Sequence, residues 1–214
     1  MLSFCSWSGG KDSCLSLYHA MQEGYEVRVL LSMLTEDEKH SRSHGLKKEL
    51  LLRQAQALGI PIEFGAAAWD QYEACFLAKL RSFKEQNLEA GIFGAIDLEE
   101  NRQWVEKVCK AAGMAAVLPL WKKDRNSLLA EFIALGFQAV MVAVKSDLLD
   151  ESWLGRVLDL TMLEEFQRLG IDASGENGEY HTFVYNGPLF SNQVIFQAGS
   201  ILKRDGYSFL ELTQ

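Results

Sequence analysis

The chain has 214 residues, 48% of them hydrophobic, with 21 Lys and Arg against 29 Asp and Glu for a formal net charge of −8. That length and apolar content suit one good core, or a core plus a small second one, and exclude a disordered chain. The acidic balance argues against wide, non-specific contact with nucleic acid, and no apolar run reaches the length of a membrane span.

In chain order, residues 2–6 form a short strand, and Met1-Leu2-Ser3-Phe4 lacks the basic start and apolar stretch of a signal peptide. A cytoplasmic protein with no membrane partner is expected. Cys14, Leu17, Tyr18 and Met21 recur at helical spacing, Gly24 supplies a stop, and residues 27–34 are nearly continuous in apolar side chains, as in a strand covered on both faces. Next come a helix over 46–58 closed by Gly59, a strand at 61–64, a helix at 71–86, a strand at 91–93, a helix at 101–112 ended by Gly113, and a strand at 115–118. This alternation predicts a parallel α/β sheet. After Pro119 the texture changes, with a polar bridge at 121–126, and a boundary is placed between residues 1–121 and 122–214. The second part reads as a smaller α+β unit. It has a helix capped by Asn126 and ended by Gly136, a strand at 137–144, a helix at 161–169, and strands at 180–185, 194–197 and 207–212. Cys5, Cys14, Cys75 and Cys109 are far apart and form no CxxC, so buried thiols are expected rather than disulfides or a zinc site.

Ser8-Gly9-Gly10-Lys11-Asp12-Ser13 lies between the first strand and the first helix, where backbone N–H groups at a helix start can face an anion. It is not a Walker loop, which would need Gly where Cys5 stands and Ser or Thr where Asp12 stands, and no GxGxxG is present. An ordinary strand-to-helix turn would account less well for two glycines, a lysine, an acid and two hydroxyls in six residues. Near the other end, Gly175-Glu176-Asn177-Gly178-Glu179-Tyr180-His181-Thr182-Phe183-Val184 packs carboxylates, an amide, an imidazole and a hydroxyl around a turn and a strand. Alternation puts Glu179, His181 and Phe183 on one face and Tyr180, Thr182 and Val184 on the other. Taken from the residues alone, a solvated hairpin corner explains this stretch about as well as a site does.

SGGKDS resembles the PP-loop of the ATP pyrophosphatases, the group that includes the synthetases for GMP, NAD, asparagine and argininosuccinate and several tRNA thiolases. GENGEYHTFV is similar to the second signature of one branch, the diphthine–ammonia ligase family and its bacterial relatives. Phe93-Gly94-Ala95-Ile96-Asp97, Pro119-Leu120-Trp121 and residues 131–137 look like family segments in family order, so the resemblance spans the chain. The loop at 35–44, followed by Gly45, resembles the bacterial branch. The resemblance implies a Rossmann-like nucleotide-binding domain and a substrate-binding α+β domain. It implies that Ser8, Gly9, Gly10, Lys11, Asp12 and Ser13 hold the pyrophosphate of ATP, with Asp12 contacting Mg²⁺. A carboxylate would be adenylated with release of pyrophosphate, and free ammonia would displace AMP. Asp12, Glu179 and His181 are the expected catalytic residues, and Gly94, Asp97, Glu176, Asn177, Gly178, Glu179 and Thr182 the expected substrate contacts. Glu176, Asn177, Glu179 and His181 are expected on the acceptor or ammonia side, away from the phosphates. The partners are then a small-molecule or protein-bound carboxylate and ammonia, and the chain is also compatible with a homo-oligomer. Two rival readings are a PP-loop tRNA-modifying enzyme that adenylates a base, and an ATP or AMP sensor without turnover. His40 and His44, four apart, lack a third ligand nearby and are assigned to a loop near the nucleotide rather than to a metal. Lys145-Ser146-Asp147 and Gly155-Arg156 fit plain loops as well as a site.

Overall fold

The computed structural model describes residues 1–42 and 44–213, so Ser43, in the loop at 35–44, and Gln214 lie outside the described residues. Strands β1 (Leu2–Ser6), β2 (Glu26–Leu34), β3 (Ile62–Ala66), β4 (Ala90–Ile92) and β5 (Ala115–Val117) alternate with helices α1 (Lys11–Gln22), α2 (Lys48–Leu58), α3 (Tyr72–Glu85) and α4 (Glu99–Ala111). The strands form a parallel sheet in the order β3-β2-β1-β4-β5. Strand order reverses at β1, which opens a crevice at the carboxyl ends of β1 and β4, the usual ligand position in open α/β sheets.

β1 is buried on both faces because its alternate residues are all small or apolar. Phe4 packs against Phe83 and Phe93 at 5.4 and 5.7 Å between ring centroids, under α3 and α4. Cys5, its neighbour, joins the opposite core with Leu17 and Leu30. That second core runs on through Phe132 and Phe137 to Phe183, so it is shared with the rest of the chain. The rest comprises α5 (Arg125–Ala134), β6 (Gln138–Lys145), α6 (Leu160–Leu169), β7 (Tyr180–Asn186), β8 (Gln197–Arg204) and β9 (Tyr207–Thr213), with an antiparallel sheet ordered β7-β6-β9-β8. The Rossmann-like parallel sheet with a smaller α+β part is therefore what the chain adopts. The four cysteines are free, three of them buried, and burial pushes the Cys109 thiol up to about 12. No helix among the described residues is long and apolar enough to cross a membrane.

Two local expectations are corrected. The cap of α5 is Asp124, whose Oδ1 accepts from the Ser127 amide at 2.8 Å; the chain is already helical at Arg125, so Asn126 falls inside the first turn. The strand expected at 194–197 begins only at Gln197 and runs to Arg204. Before it, Val194 is buried and Phe196 packs on Phe183 and Tyr185, which supplied the apolar pattern. β8 itself is an outer strand exposed along its length and paired with β9, so it has no buried face to show in sequence.

Candidate active site

β1 ends at Ser6, yet the Trp7 amide still donates to Leu31 of β2 at 2.8 Å, so the loop leaves the sheet before rising into α1. Gly9 has a φ of +82°, where a side chain would be strained, and a Cβ there would stand 2.8 Å from Gln54 Oε1. A Cβ on Gly10 would collide with the His44 ring and press on the Thr182 carbonyl. Both glycines are thus required by neighbours within the protein, in addition to the close anion approach expected of them.

Those neighbours come from β7. The Gly9 carbonyl accepts from the Val184 amide and from Gln54 Nε2, both at 2.9 Å. Gln54, fully buried in α2, also donates to the Val184 carbonyl at 2.6 Å and accepts from Trp7 Nε1 at 2.9 Å. Thr182 Oγ1 accepts from the Lys11 amide at 3.1 Å, which satisfies one of the free donors at the start of α1. The Lys11 side chain is buried, donating to the Ser174 carbonyl and to the Asp12 carboxylate at 2.7 Å, with Nζ 5.5 Å from the centre of the Tyr180 ring. The two signatures, far apart in sequence, form one constellation. Lys11 acts in it as a brace: it is turned inward and does not line the cleft.

That cleft, of about 510 Å³, opens at the reversal of strand order. The loop contributes Ser8, Asp12 and Ser13 to it, and Gly94 comes from the end of β4. The two hydroxyls lie 3.1 Å apart, and Ser13 Oγ donates to the Gly10 carbonyl at 3.0 Å. Gly94 must be small because a Cβ would stand 3.0 Å from the Asp12 backbone. Glu176, from the second signature, faces the same cleft. The turn at 175–178 folds back over the start of α1, so Glu176 stands on the cleft together with Asp12. Burial, with the Asp12 charge adding to it, pushes the Glu176 carboxyl up to about 7.

The remaining expected residues stand elsewhere. Glu179 is buried and its carboxylate accepts from the Asn177 amide at 3.0 Å and from Asn177 Nδ2 at 3.1 Å, so it shapes the turn and does not line the cleft. Gly178 has a φ of +81° and lies against the Tyr207 hydroxyl. Strand alternation sends Tyr180 and Thr182 to the loop, while the His181 ring packs 4.7 Å from His44 and 6.1 Å from Tyr207. His44 Nδ1 donates to the Thr182 carbonyl at 2.8 Å in its neutral form. Burial holds the His44 pKa down to about 4 and the His181 pKa down to about 3, the latter with the His44 ring adding to it, so both imidazoles are neutral at pH 7. Asp97 is clasped by Arg125 through two hydrogen bonds of 2.6 and 2.8 Å and is a structural tie.

Sequence reasoning missed part of the lining: Arg42, Trp69, Tyr72 and Trp104. Trp69 and Tyr72 follow the carboxyl end of β3, a position that could have marked them; Arg42 carried no such signal. A nucleotide fits this donor set. Gly10 leaves the first turn of α1 without a side-chain cap, so the turn is suited to an anion, and the Ser8 and Ser13 hydroxyls flank it. Mg²⁺ fits as well, since it is bound by one or two carboxylates plus phosphate oxygens, and Asp12 offers one on the cleft. Among the described residues no three His, Cys, Asp or Glu side chains gather around a metal position, His40 and His44 included.

Comparison with known proteins matches residues 1–116 to the diphthamide synthase N-terminal domain and residues 124–210 to the diphthamide synthase C-terminal domain. A diphthine–ammonia ligase of Mus musculus is 30% identical over 229 residues, covering 94% of this chain and 85% of that one. The diphthine–ammonia ligase of Rattus norvegicus is 31% identical, covering 88% of this chain and 80% of that one. Among solved structures, one described as a predicted subunit of tRNA methyltransferase from Methanocaldococcus jannaschii shares the fold at a TM-score of 0.50 and 14% identity, covering 88% of this chain and 98% of that one.

Proposed function

The chain belongs to the diphthamide synthase family, and we propose on that footing that its cleft carries out an ATP-dependent ligation of the diphthine–ammonia type. The observation that supports it is the meeting, on one cleft, of the PP-loop residues Ser8, Asp12 and Ser13 with Glu176 of the second signature. Residues 1–121 hold the nucleotide in this reading and 122–214 present the acceptor. The acceptor carboxylate attacks the α-phosphate of ATP, the bond to the bridging oxygen breaks, and pyrophosphate leaves. Ammonia then forms the C–N bond as the C–O bond to AMP breaks, and its surplus proton passes to a carboxylate.

Glu176 is the better candidate for that last role. A carboxyl held near pH 7 and facing the cleft is matched to accepting a proton from a nitrogen nucleophile, whereas Glu179 is committed to Asn177. Glu179 and His181 are then positioning residues: the first shapes the turn that carries Glu176, and the second supports His44 against the loop. Ser8, Ser13 and the first turn of α1 bind phosphate oxygens, and Lys11 keeps β7 and the loop in register. Asp12 would hold Mg²⁺, which when bound neutralises phosphate charge. A cytoplasmic location and a bacterial-type affiliation, the latter carried by the loop at 35–45, belong to the same proposal.

The test is product identity with ATP, ammonium and candidate carboxylates, diphthine-bearing protein among them. AMP and pyrophosphate in equal amounts to amide are expected. ADP and orthophosphate in their place would refute the reading.

A further inference from the structure

The cleft is short of positive charge for a nucleotide site. Asp12 and Glu176 are its carboxylates, and Lys11, the cation of the loop, is buried and paired with Asp12. One cationic side chain lines it among the described residues, and that is Arg42. Arg42 also lines a smaller pocket of about 70 Å³ at the carboxyl ends of β1 and β2. The two spaces share Ser6, Ser8, Arg42 and Tyr72, so the guanidinium stands at their junction, beside the start of the PP-loop.

Its setting has the features of a prepared oxyanion ligand. The guanidinium lies over the Trp69 ring, with Cζ 4.7 Å from the centroid, and Nη2 donates to the Ala67 carbonyl. Stacking and one carbonyl hold the plane of the fork, which lowers the entropy lost on meeting an anion. Nε is buried and finds no hydrogen-bond partner among the described residues, a state that costs free energy until an acceptor arrives. Trp69 is 74% exposed, so the platform under Arg42 faces open space rather than a core.

We propose that Arg42 is a nucleotide-phosphate ligand of this cleft, oriented by Trp69 and Ala67. The inference rests on the ligase reading for the presence of ATP. Phosphate is assigned over the acceptor carboxylate because Arg42 flanks Ser6 and Ser8 in both spaces, on the side of the loop. Arg42 is half-buried on a loop, so its replacement leaves both cores untouched.

Calorimetry on the full chain without acceptor, using Mg-ATP and adenosine as separate probes, tests this with Arg42→Gln, Arg42→Lys and Trp69→Ala. The expected result is at least tenfold weaker ATP binding in Arg42→Gln, a smaller loss in Arg42→Lys and Trp69→Ala, and adenosine binding equal to wild type. The salt dependence of ATP binding should flatten in Arg42→Gln but not in Arg42→Lys. Wild-type ATP affinity in a folded Arg42→Gln overturns the assignment, and so does unchanged ATP affinity with a raised KM for the acceptor, which would give Arg42 to the carboxylate. Wild-type chain that binds no ATP would overturn the ligase reading itself, and is told apart by needing no variant.

Discussion

Glu176 and Glu179 sit three residues apart in one turn, and their surroundings assign them different work. Glu176 faces the cleft beside Asp12, whereas Glu179 is buried with its oxygens on Asn177. Glu176→Gln keeps size and removes the base, so turnover should fall by about 10²-fold, the usual scale for a lost general base, while ATP binding is kept or improved. The pH profile gives a sharper reading. Because the folded carboxyl is raised to about 7, its basic form becomes the major one above that pH, and the wild-type rate at fixed free-ammonia concentration should climb through pH 7. Glu176→Gln should lose that limb. Stability has the opposite sign: a raised carboxyl contributes fully below the ordinary carboxylate range and loses its contribution as pH rises through 7. Melting curves at pH 5 and pH 8 should therefore differ less in Glu176→Gln than in wild type. Retention of the pH 7 limb in the variant would move the base elsewhere.

β7 and the PP-loop behave as one element made from two distant segments. Thr182 Oγ1 receives the Lys11 amide, Val184 donates to Gly9, and Gln54 ties both to Trp7. Thr182→Val preserves shape but orphans a buried N–H at the start of α1, which costs about 1–3 kcal/mol and, at this chain length, roughly 2–4 °C of Tm per kcal/mol. ATP affinity should fall with it, since the same turn binds phosphate; unchanged Tm and ATP affinity would show that the clamp is dispensable. The elements themselves were legible wherever burial leaves a period. β2 and β6 read as apolar runs because both faces are covered, and α2 ends at Gly59 because the chain turns left-handed there, at φ +68°. β8 was misplaced because an exposed outer strand leaves no such trace. At the site, the loop and the second signature were visible as dense polar clusters. Their junction was not, since Thr182 to Lys11 and Gln54 to Gly9 are pairings set by packing two sheets against α1, and nothing local records them. Arg42 was invisible for the same reason.

At the scale of the molecule, the two sheets share one core, and the rim of that joint is tied by Arg125. Arg125 clasps Asp97, which follows β4, and reaches Asp172, which precedes β7, at 2.5 Å. The tie continues to the site, because Asp172 Oδ2 also accepts from the Glu176 amide at 2.8 Å. Arg125 holds Asp172, Asp172 holds the backbone of Glu176, and Glu176 faces the cleft. The Asp97 arm is about a third exposed and contributes little net stability, whereas the Asp172 carboxylate is mostly buried and would be left without its cation. Arg125→Met, which keeps the aliphatic stem, should therefore cost about 1–2 kcal/mol, less than a fully buried pair. Its larger effect should be catalytic. With Asp172 released, the turn at 175–178 loses its anchor and Glu176 its position, so kcat should drop several-fold or more while ATP Kd stays near wild type. Asp172→Asn tests the same chain from its middle, and a double-mutant cycle of Arg125→Met with Asp172→Asn should be strongly non-additive in kcat. Additive effects, or a loss confined to Tm with kcat intact, would mean that Arg125 fastens the sheets together and has no part in placing Glu176.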